Sequence, residues 1–301
     1  MRASARGALI LVFLGLAALA GVPAPELAHA RHAGSAWAKA PDLGIGGLSG
    51  LELSPDGASF AAISDRGFFV TGRLSRQDGR LTGLAGLKVW PMRGPGGGVL
   101  TGADAEGLAR GADGALYVSF EGTEGGVMRF EGPDAPGRPL PYPAGFAPRH
   151  DNRGLELLSA GPDGTLFSLP EWPAENGRFP VFRFIDGAWT QPFSIAAESG
   201  FSPVGGDFGP DGHFYLLERQ LIAPVGFRSR VRRFDRGPGD PGAGRVILAT
   251  PPGRHGNLEG LSVWRDGDGR IRLSMVSDDN FLALQRGQIV EYVLDAGGPA
   301  G

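Results

Sequence analysis

A segment of about fifty residues recurs five times along this 301-residue chain, and this repeat limits what the chain can fold into. Each copy reads as an apolar strand, a turn with Asp-Gly, a second strand that ends near an acidic residue, and a third strand. Asp-Gly between alternating apolar runs predicts a hairpin, because both turn positions favour positive φ. The turn aspartates, which we expect to be structural, are Asp56, Asp113, Asp163, Asp211 and Asp268.

A fourth strand is predicted after several copies, at residues 87–92, 188–195 and 244–250. Four antiparallel strands per repeat of this length are typical of the blades of a β-propeller. The sequence therefore predicts an all-β fold, a β-propeller of five to six four-stranded antiparallel blades, in a single domain over residues 31–301. Either a sixth blade is degenerate, or an N-terminal strand near Trp37 completes the last blade. The rival architecture is a β-sandwich of unequal repeats.

Composition supports short strands and excludes several classes of protein. The 52 glycines and 25 prolines exclude long helices, because both residues break them. The 18 phenylalanines and 5 tryptophans argue against disorder. A net charge of −3 provides no basic face, so we expect no nucleic-acid partner. The absence of cysteine excludes disulfides, thiol nucleophiles and thiolate metal sites.

Residues 1–30 have the pattern of a secretory signal peptide. Arg2 and Arg6 precede an apolar run at residues 7–22, and small residues follow up to Ala30. We expect cleavage after Ala30 and an exported protein, periplasmic or secreted, with no membrane span in the mature chain. The alternative is a membrane anchor, but the run is shorter than the ~20 residues that a helical span needs.

Acidic residues recur at two places that propeller topology brings to one face, because the first and second strands of a blade are antiparallel. First strands start near Glu106, Glu156 and Glu259; Asp207 is a looser match in the fourth copy, and the first copy has Ser49 with Glu52 nearby. Second strands end at Asp65-Arg66, Glu121, Glu171, Glu218-Arg219 and Asp278-Asp279-Asn280. We therefore expect a ring of carboxylates around one mouth of the central channel.

Such a ring requires neutralisation, since two carboxylates ~6 Å apart repel by about 3 kcal/mol at an effective dielectric near 20. A divalent metal fits this role, and Ca²⁺ is the best match because it binds 6–8 oxygen ligands from Asp, Glu and Asn. The predicted ligands are Asp65, Glu106, Glu121, Asn152, Glu156, Glu218, Asn257, Glu259, Asp278 and Asp279. Arg66, Arg153 and Arg219 lie beside these acids and suit a small anionic ester substrate.

Each acid alone also fits a structural role, as a cap of backbone amides or a surface ion pair, and repeat duplication alone can produce the recurrence. The hypothesis of a site therefore depends on the set. Within it, Glu106, Glu156 and Glu259 are the candidate catalytic carboxylates. His150 is the candidate acid–base histidine because it directly precedes a predicted site strand. The chain has no G-x-S-x-G elbow, P-loop or H-E-x-x-H motif.

Seven phrases, in this order, resemble the phytase-like esterase domain family ("esterase-like activity of phytase"): GLSGL (47–51), SDRG (64–67), EGLARGADG (106–114), NRGLE (152–156), LLER (216–219), NLEGL (257–261) and SDDNF (277–281). The resemblance spans residues 45–295. It implies an exported β-propeller with esterase or phosphodiesterase-like activity. By position it implies functional residues at Asp65, Arg66, Glu106, Glu121, Asn152, Glu156, Glu218, Arg219, Asn257, Glu259, Asp278, Asp279 and Asn280. The chain departs from the pattern at residues 168–172 and 204–207.

Three functions fit these observations. The first is a metal-assisted hydrolase of phosphate esters, favoured by the arginines beside the acids. The second is a lactonase-type ester hydrolase on the same scaffold. The third is a non-catalytic binding propeller stabilised by calcium.

Overall fold

Twenty β-strands account for the regular structure of the residues that the computed structural model describes, 30–37, 44–121, 125–142, 154–198, 200–235, 244–279 and 287–295. The described residues include no α-helix, and none forms a helix of the length and apolarity that crossing a bilayer requires. Residues 1–29, which hold most of the predicted signal peptide, lie outside this part of the chain. The prediction of an all-β fold is confirmed.

The strands form five four-stranded antiparallel units within the described residues. The N-terminal strand is β1 (Ala30–Trp37). The first unit contains β2 (Leu48–Leu53), β3 (Ser59–Ser64), β4 (Phe68–Gln77) and β5 (Arg80–Pro91). The second contains β6 (Ala105–Arg110), β7 (Leu116–Phe120), β8 (Gly126–Phe130) and β9 (Arg138–Pro139). The third contains β10 (Leu157–Ala160), β11 (Leu166–Leu169), β12 (Arg178–Ile185) and β13 (Ala188–Ala196). The fourth contains β14 (Ser202–Phe208), β15 (Phe214–Ile222), β16 (Gly226–Phe234) and β17 (Arg245–Ala249). The fifth contains β18 (Asn257–Arg265), β19 (Ile271–Asp278) and β20 (Gln288–Leu294), together with β1.

The N-terminal strand completes the last unit. β1 pairs antiparallel with β20, from Ala30 opposite Leu294 to Trp37 opposite Gln288. It therefore covers an edge that would otherwise expose unpaired backbone groups. A single parallel bridge between Gly34 and β5 links the last unit to the first, so these two units form one eight-stranded sheet. The strand predicted near Trp37 is thus present.

The first strands of the units pack side by side in a closed ring. β2 packs against β6, β6 against β10, β10 against β14, β14 against β18, and β18 against β2. Apolar clusters fill the spaces between neighbouring units; one of them joins Val204 and Leu217 of the fourth unit to Leu261 and Met275 of the fifth. A ring of four-stranded antiparallel sheets is propeller architecture and excludes the two-layered β-sandwich.

The predicted Asp-Gly turns join first and second strands, but their geometry differs from the prediction. Positive φ was expected at both residues, whereas only the glycine has it; Gly114, for example, has φ of 85°. The Gly114 N–H donates to the Gly111 carbonyl, which makes a tight turn followed by a left-handed glycine. Positive φ at both Asp and Gly occurs instead at Asp78-Gly79 and Asp186-Gly187, which join third and fourth strands.

The turn aspartates are structural. In each of the first four units, the carboxylate accepts the backbone N–H two residues further on; Asp113 Oδ1 accepts from Ala115 at 3.1 Å. In the fifth unit Asp266, rather than the predicted Asp268, takes this role and accepts the N–H groups of Asp268 and Arg270. The turns therefore lie at the opposite end of the first strands from the acids discussed next.

Candidate functional site

In four of the five units a β-bulge at the start of the first strand places a residue at the mouth of the ring. Strand pairing is interrupted between Leu48 and Gly50, Ala105 and Leu108, Pro203 and Gly205, and Leu258 and Gly260. The unpaired residues include Ser49, Glu106, Val204 and Glu259. A bulge redirects a side chain out of the ladder, which explains why acid and glycine are adjacent in Glu106-Gly107 and Glu259-Gly260.

The three candidate catalytic glutamates meet at this mouth. Glu106 and Glu259 line the same cavity at the centre of the ring, and Glu156 lies at the start of the first strand of the third unit. Burial raises the pKa of Glu106 well above its usual range, and the charges of Glu156 and Glu259 raise it further. Carboxylates from three separate units are thus close enough to repel one another.

Below the glutamates, the ring is nearly closed because the first strands approach each other closely. A Cβ on Gly260 would lie 2.7 Å from the Leu51 nitrogen, and one on Gly205 would lie 2.5 Å from the Glu259 carbonyl oxygen. The cavity that remains has a volume of about 10 Å³, which holds about one water molecule. A molecule larger than water therefore does not fit this narrow part of the ring and can react only at its mouth, among the acids.

Further carboxylates surround the glutamates and complete what we call the acid cluster. Its members lie at first-strand starts and second-strand ends: Asp65, Asp104, Glu106, Glu121, Glu156, Glu171, Glu259 and Asp278. In addition to burial, the charges of Asp278 and Asp104 both raise the pKa of Asp65, and the charge of Asp278 also raises the pKa of Glu259. These interactions connect the carboxylates of the fifth unit to those of the first and second. The structure thus brings several of the carboxylates in the predicted ring together, without Glu218 and Asp207.

Three of these carboxylates are arranged so that they could hold a metal ion. Oxygens of Asp104, Glu106 and Glu121 all lie within 4.8 Å of one another. Glu121 is oriented by the Gly154 N–H, which donates to its Oε1 at 2.8 Å. Three carboxylate oxygens from two neighbouring strands suit a hard divalent cation such as Ca²⁺. The residues present therefore fit the predicted class of metal.

The guanidinium of Arg219 lies inside the cluster. Its Nη1 donates to Glu259 and, at 2.7 Å, to Asn257 Oδ1; its Nη2 donates to Glu171 Oε1 at 3.2 Å. The amide of Asn257 donates to Glu259 Oε1 at 2.7 Å. Glu259 is thus held by an arginine and an amide from two units, which fixes its position at the mouth.

Burial and mutual repulsion shift the acids toward the neutral form. Burial raises the pKa of Glu259 to about 7, although Arg219 opposes the shift. Burial and the Asp278 charge raise the pKa of Asp65 to about 6. The pKa of Glu156 is also raised, by burial and then by Glu171. Burial and neighbouring carboxylates both disfavour the ionised form of these acids, and a bound cation would favour it.

Two acids considered from the sequence belong elsewhere. Glu218 is fully buried, but Arg230 and Arg232 donate to both of its oxygens at 2.7–2.8 Å. Its neighbour Arg219 faces the cluster, and successive residues of a strand point to opposite faces, so Glu218 faces away from it. Asp207 likewise does not match Glu106, because Val204 occupies the bulge; the Asp207 carboxylate accepts the Val263 N–H at 2.6 Å.

The remaining predicted residues lie at the edge of the cluster or outside the described residues. Arg66 is exposed beside Asp65. Its charge lowers the pKa of Asp65, but this effect is smaller than those of burial and the neighbouring acids. Asp279 accepts the Gly47 N–H at 3.1 Å. The predicted residues His150, Asn152, Arg153 and Asn280 lie outside the described residues.

Sequence reasoning missed Asp104 and did not select Glu171 as a ligand. Asp104 lies two residues before Glu106, just outside β6, and a pattern based on the strand start passes over it. Glu171 was placed at a second-strand end, but it follows Pro170, where the third copy departs from the family pattern. Glu171 follows the second strand of the third unit, as Glu121 follows the second strand of the second unit. This shared position was the signal that could have identified Glu171.

The comparisons with known proteins agree with this fold. A family model described as "Phytase-like: Esterase-like activity of phytase" matches residues 43–281. Two α-L-arabinofuranosidases superpose with a TM-score of 0.51 at 12% identity: one from Podospora anserina, over 89% of this chain and 98% of that one, and one from Coprinopsis cinerea, over 88% and 97%. A gluconolactonase from Xanthomonas campestris gives 0.46 at 15% identity, over 83% and 87%. At these identities, structural similarity concerns the fold alone. No curated protein matches the sequence.

Proposed function

Because the chain belongs to the phytase-like family, described by the esterase-like activity of phytase, we propose that it is a metal-assisted hydrolase of phosphate esters. In this proposal the reaction takes place at the acid cluster, the ion is Ca²⁺ and the substrate is a small anionic ester. The scaffold is a five-bladed propeller closed by β1. Export to the periplasm or the medium, proposed from the signal-peptide pattern, would provide the millimolar calcium that such sites use.

The observation that carries the proposal is the excess of buried negative charge at the mouth. Glu106, Glu156 and Glu259 come from three units, and burial and neighbouring carboxylates raise the pKa of each, so their ionised forms oppose folding. Several carboxyls with strongly raised pKa values in one cleft are typical of a functional site. A site that binds both a cation and a phosphate ester explains why these residues are acids rather than apolar residues.

The residues divide into three proposed roles. Asp104, Glu106 and Glu121 would hold the ion, with Asp65, Glu156, Asn257, Asp278 and Asp279 as further oxygen ligands around the mouth. Such an ion polarises a phosphoryl oxygen and lowers the pKa of water. Arg219, Arg66 and Arg153 would bind the anionic oxygens of the substrate. Glu259 suits the general base, because its pKa of about 7 lets it accept a proton near neutral pH. His150 remains a proposed acid–base residue on the sequence argument alone.

Hydrolysis of bis(4-nitrophenyl) phosphate tests this function. The purified protein is assayed with Ca²⁺, Mg²⁺, Mn²⁺ or Zn²⁺ and with a chelator, alongside Glu106→Gln and the control Glu175→Gln, an exposed carboxylate outside the cluster. We expect turnover that requires the metal, at least 100-fold slower in Glu106→Gln and unchanged in the control. Turnover no faster than that of Glu106→Gln with every metal would refute the proposal.

Two further outcomes would identify the alternative functions. A preference for neutral lactones over phosphate esters would indicate a lactonase-type hydrolase and contradict the role given to the arginines. A melting temperature raised by calcium, without turnover of any ester, would indicate a non-catalytic binding propeller.

A further inference from the structure

A groove lined by both exposed apolar and polar side chains adjoins the acid cluster on the side of the fourth and fifth units. We define the groove by Trp37, Leu221, Val225, Phe227, Arg254 and Gln288, which line a cavity of about 530 Å³. A volume of this size is typical of pockets that bind small organic molecules. The groove is formed by the ends of β1, β15, β16 and β20, which the ring brings together.

The groove concentrates apolar side chains that folding leaves in contact with water. Six large apolar residues are exposed among those that the structure describes, and three of them line this groove: Trp37 at 39%, Leu221 at 59% and Val225 at 60% exposure. Single exposed apolar residues are normal on a protein surface, but a contiguous group of them marks a binding site. The groove therefore differs from the rest of the described surface.

Two side chains connect the groove directly to the acid cluster. Asn257 lines the groove and also donates to Glu259 and accepts from Arg219. Phe227 lines the groove, and its ring centre lies 5.5 Å from the guanidinium carbon of Arg219. The groove therefore adjoins the cluster at the side chains of Asn257 and Phe227.

The polar groups of the groove leave it with positive charge. Arg254 provides a cation at its wall. His255, which also lines it, shares a hydrogen bond of 2.7 Å with Tyr292. Gln288 donates to the His255 carbonyl at 3.0 Å. An apolar wall with one cation suits an apolar group attached to an anion.

We propose that this groove binds the apolar organic group of the ester substrate while its anionic group lies at the acid cluster. The inference rests on the proposed function and narrows it: the substrate class is a phosphate ester with an aryl or alkyl group, rather than a polyol carrying several phosphates. A polyol phosphate would leave the three exposed apolar side chains in contact with polar groups and would gain nothing from them.

Binding of two phosphonates tests the groove without requiring turnover. Phenylphosphonate and methylphosphonate carry the same anionic group and have no ester bond, so they differ only in the apolar part. Dissociation constants are measured by titration calorimetry in the presence of calcium for the wild-type protein, the double variant Leu221→Asn/Val225→Asn, and the control Ile185→Asn. Ile185 is also exposed, at 40%, but lies in the third unit outside the groove.

We expect the wild-type protein and the control to bind phenylphosphonate at least tenfold more tightly than methylphosphonate. In the double variant this preference should fall below threefold, with methylphosphonate affinity unchanged. All three substituted positions are exposed, so the variants should fold, and circular dichroism checks this. Equal binding of the two phosphonates by the wild type, no binding of either, or an unchanged preference in the double variant would each overturn the proposal.

The outcomes separate this inference from the proposed function. A preference that disappears in the double variant, without hydrolysis of any ester, would support the groove and refute the hydrolase. Metal-dependent hydrolysis with no preference for the phenyl group would support the hydrolase and overturn the groove.

Discussion

The acid cluster should make the metal-free protein less stable as the pH rises, and Glu259 provides the clearest measure of this effect. Burial raises the pKa of Glu259 from 4.5 to about 7 in the folded protein. The unfolded chain therefore releases this proton near pH 4.5, whereas the folded protein retains it to about pH 7. Between these values the folded state binds more protons, so its stability falls as the pH rises.

The magnitude follows from the two pKa values. A shift of this size corresponds to about 3 kcal/mol when the pH lies above both values. Part of this destabilisation is already present at pH 5. Between pH 5 and pH 8, Glu259 therefore lowers the free energy of unfolding by about 2.5 kcal/mol. For a domain of this size, that loss lowers the melting temperature by about 5–10 °C. The Glu259 side chain is 13% exposed, so solvent screens the effect only weakly.

Melting temperatures of the wild-type protein and Glu259→Gln test this reasoning. Both are measured from pH 5 to pH 8 with a chelator present, and Glu175→Gln serves as the control. We expect Glu259→Gln to lose about 2.5 kcal/mol less stability than the wild type over this range, and the control to follow the wild type. Buried histidines affect all three proteins alike and cancel in the difference. Parallel curves for wild type and Glu259→Gln would refute the assignment of a buried carboxyl with a raised pKa.

Three further variants test other parts of the structure. Asp104→Asn should reduce the rise in melting temperature that 5 mM calcium (a concentration on the order of extracellular sites) produces, since this residue belongs to the carboxylate triad; an undiminished rise would exclude it as a ligand. Glu218→Gln should lower stability by about 3 kcal/mol in urea unfolding, because Arg230 and Arg232 lose their buried carboxylate partner and keep only the more exposed Glu198, while calcium still stabilises the variant. Gly260→Ala should lower stability by about 2 kcal/mol or more in the same assay, because its Cβ would lie 2.7 Å from a neighbouring strand; Gly83→Ala, which meets nothing within 4 Å, should be neutral.

Much of the fold follows from local signals in the sequence. The strands, the turn glycines and the five repeats are specified by alternation and turn residues within about ten positions of one another. The convergence of Glu106, Glu156 and Glu259 also follows, because each occupies the same place in its repeat. Once neighbouring repeats pack in a ring, equal places in sequence become neighbouring places at one mouth.

The register of the bulges could not be predicted in this way. In the fourth repeat, Asp207 is the nearest acid to the strand start, but the bulge falls at Val204, three residues earlier. A shift of one position moves a side chain to the other face of a strand, and the sequence does not mark where pairing skips. Asp207 instead accepts a backbone N–H from β18, and Glu52 makes the equivalent bond to the Arg110 N–H of β6.

The same limit explains the assignment of Glu218. It stands beside Arg219 in a phrase that resembles the family, and sequence alone does not show which of two adjacent residues faces the mouth. The structure places Arg219 in the acid cluster and Glu218 on the opposite face of β15, between Arg230 and Arg232. Choosing between them requires the packing of the next unit, which lies about forty residues away in sequence.

Pairing separates the structural acids of this protein from those of its site. Glu218 is neutralised by two arginines, and Glu291, also fully buried, by Arg76 and Arg272. Such acids specify how sheets pack, and their partners lie within the same unit or its neighbour. The acid cluster is different, because its carboxylates face one another across a shared space. The mutual repulsion of these carboxylates lowers stability, and a cation bound among them would offset it.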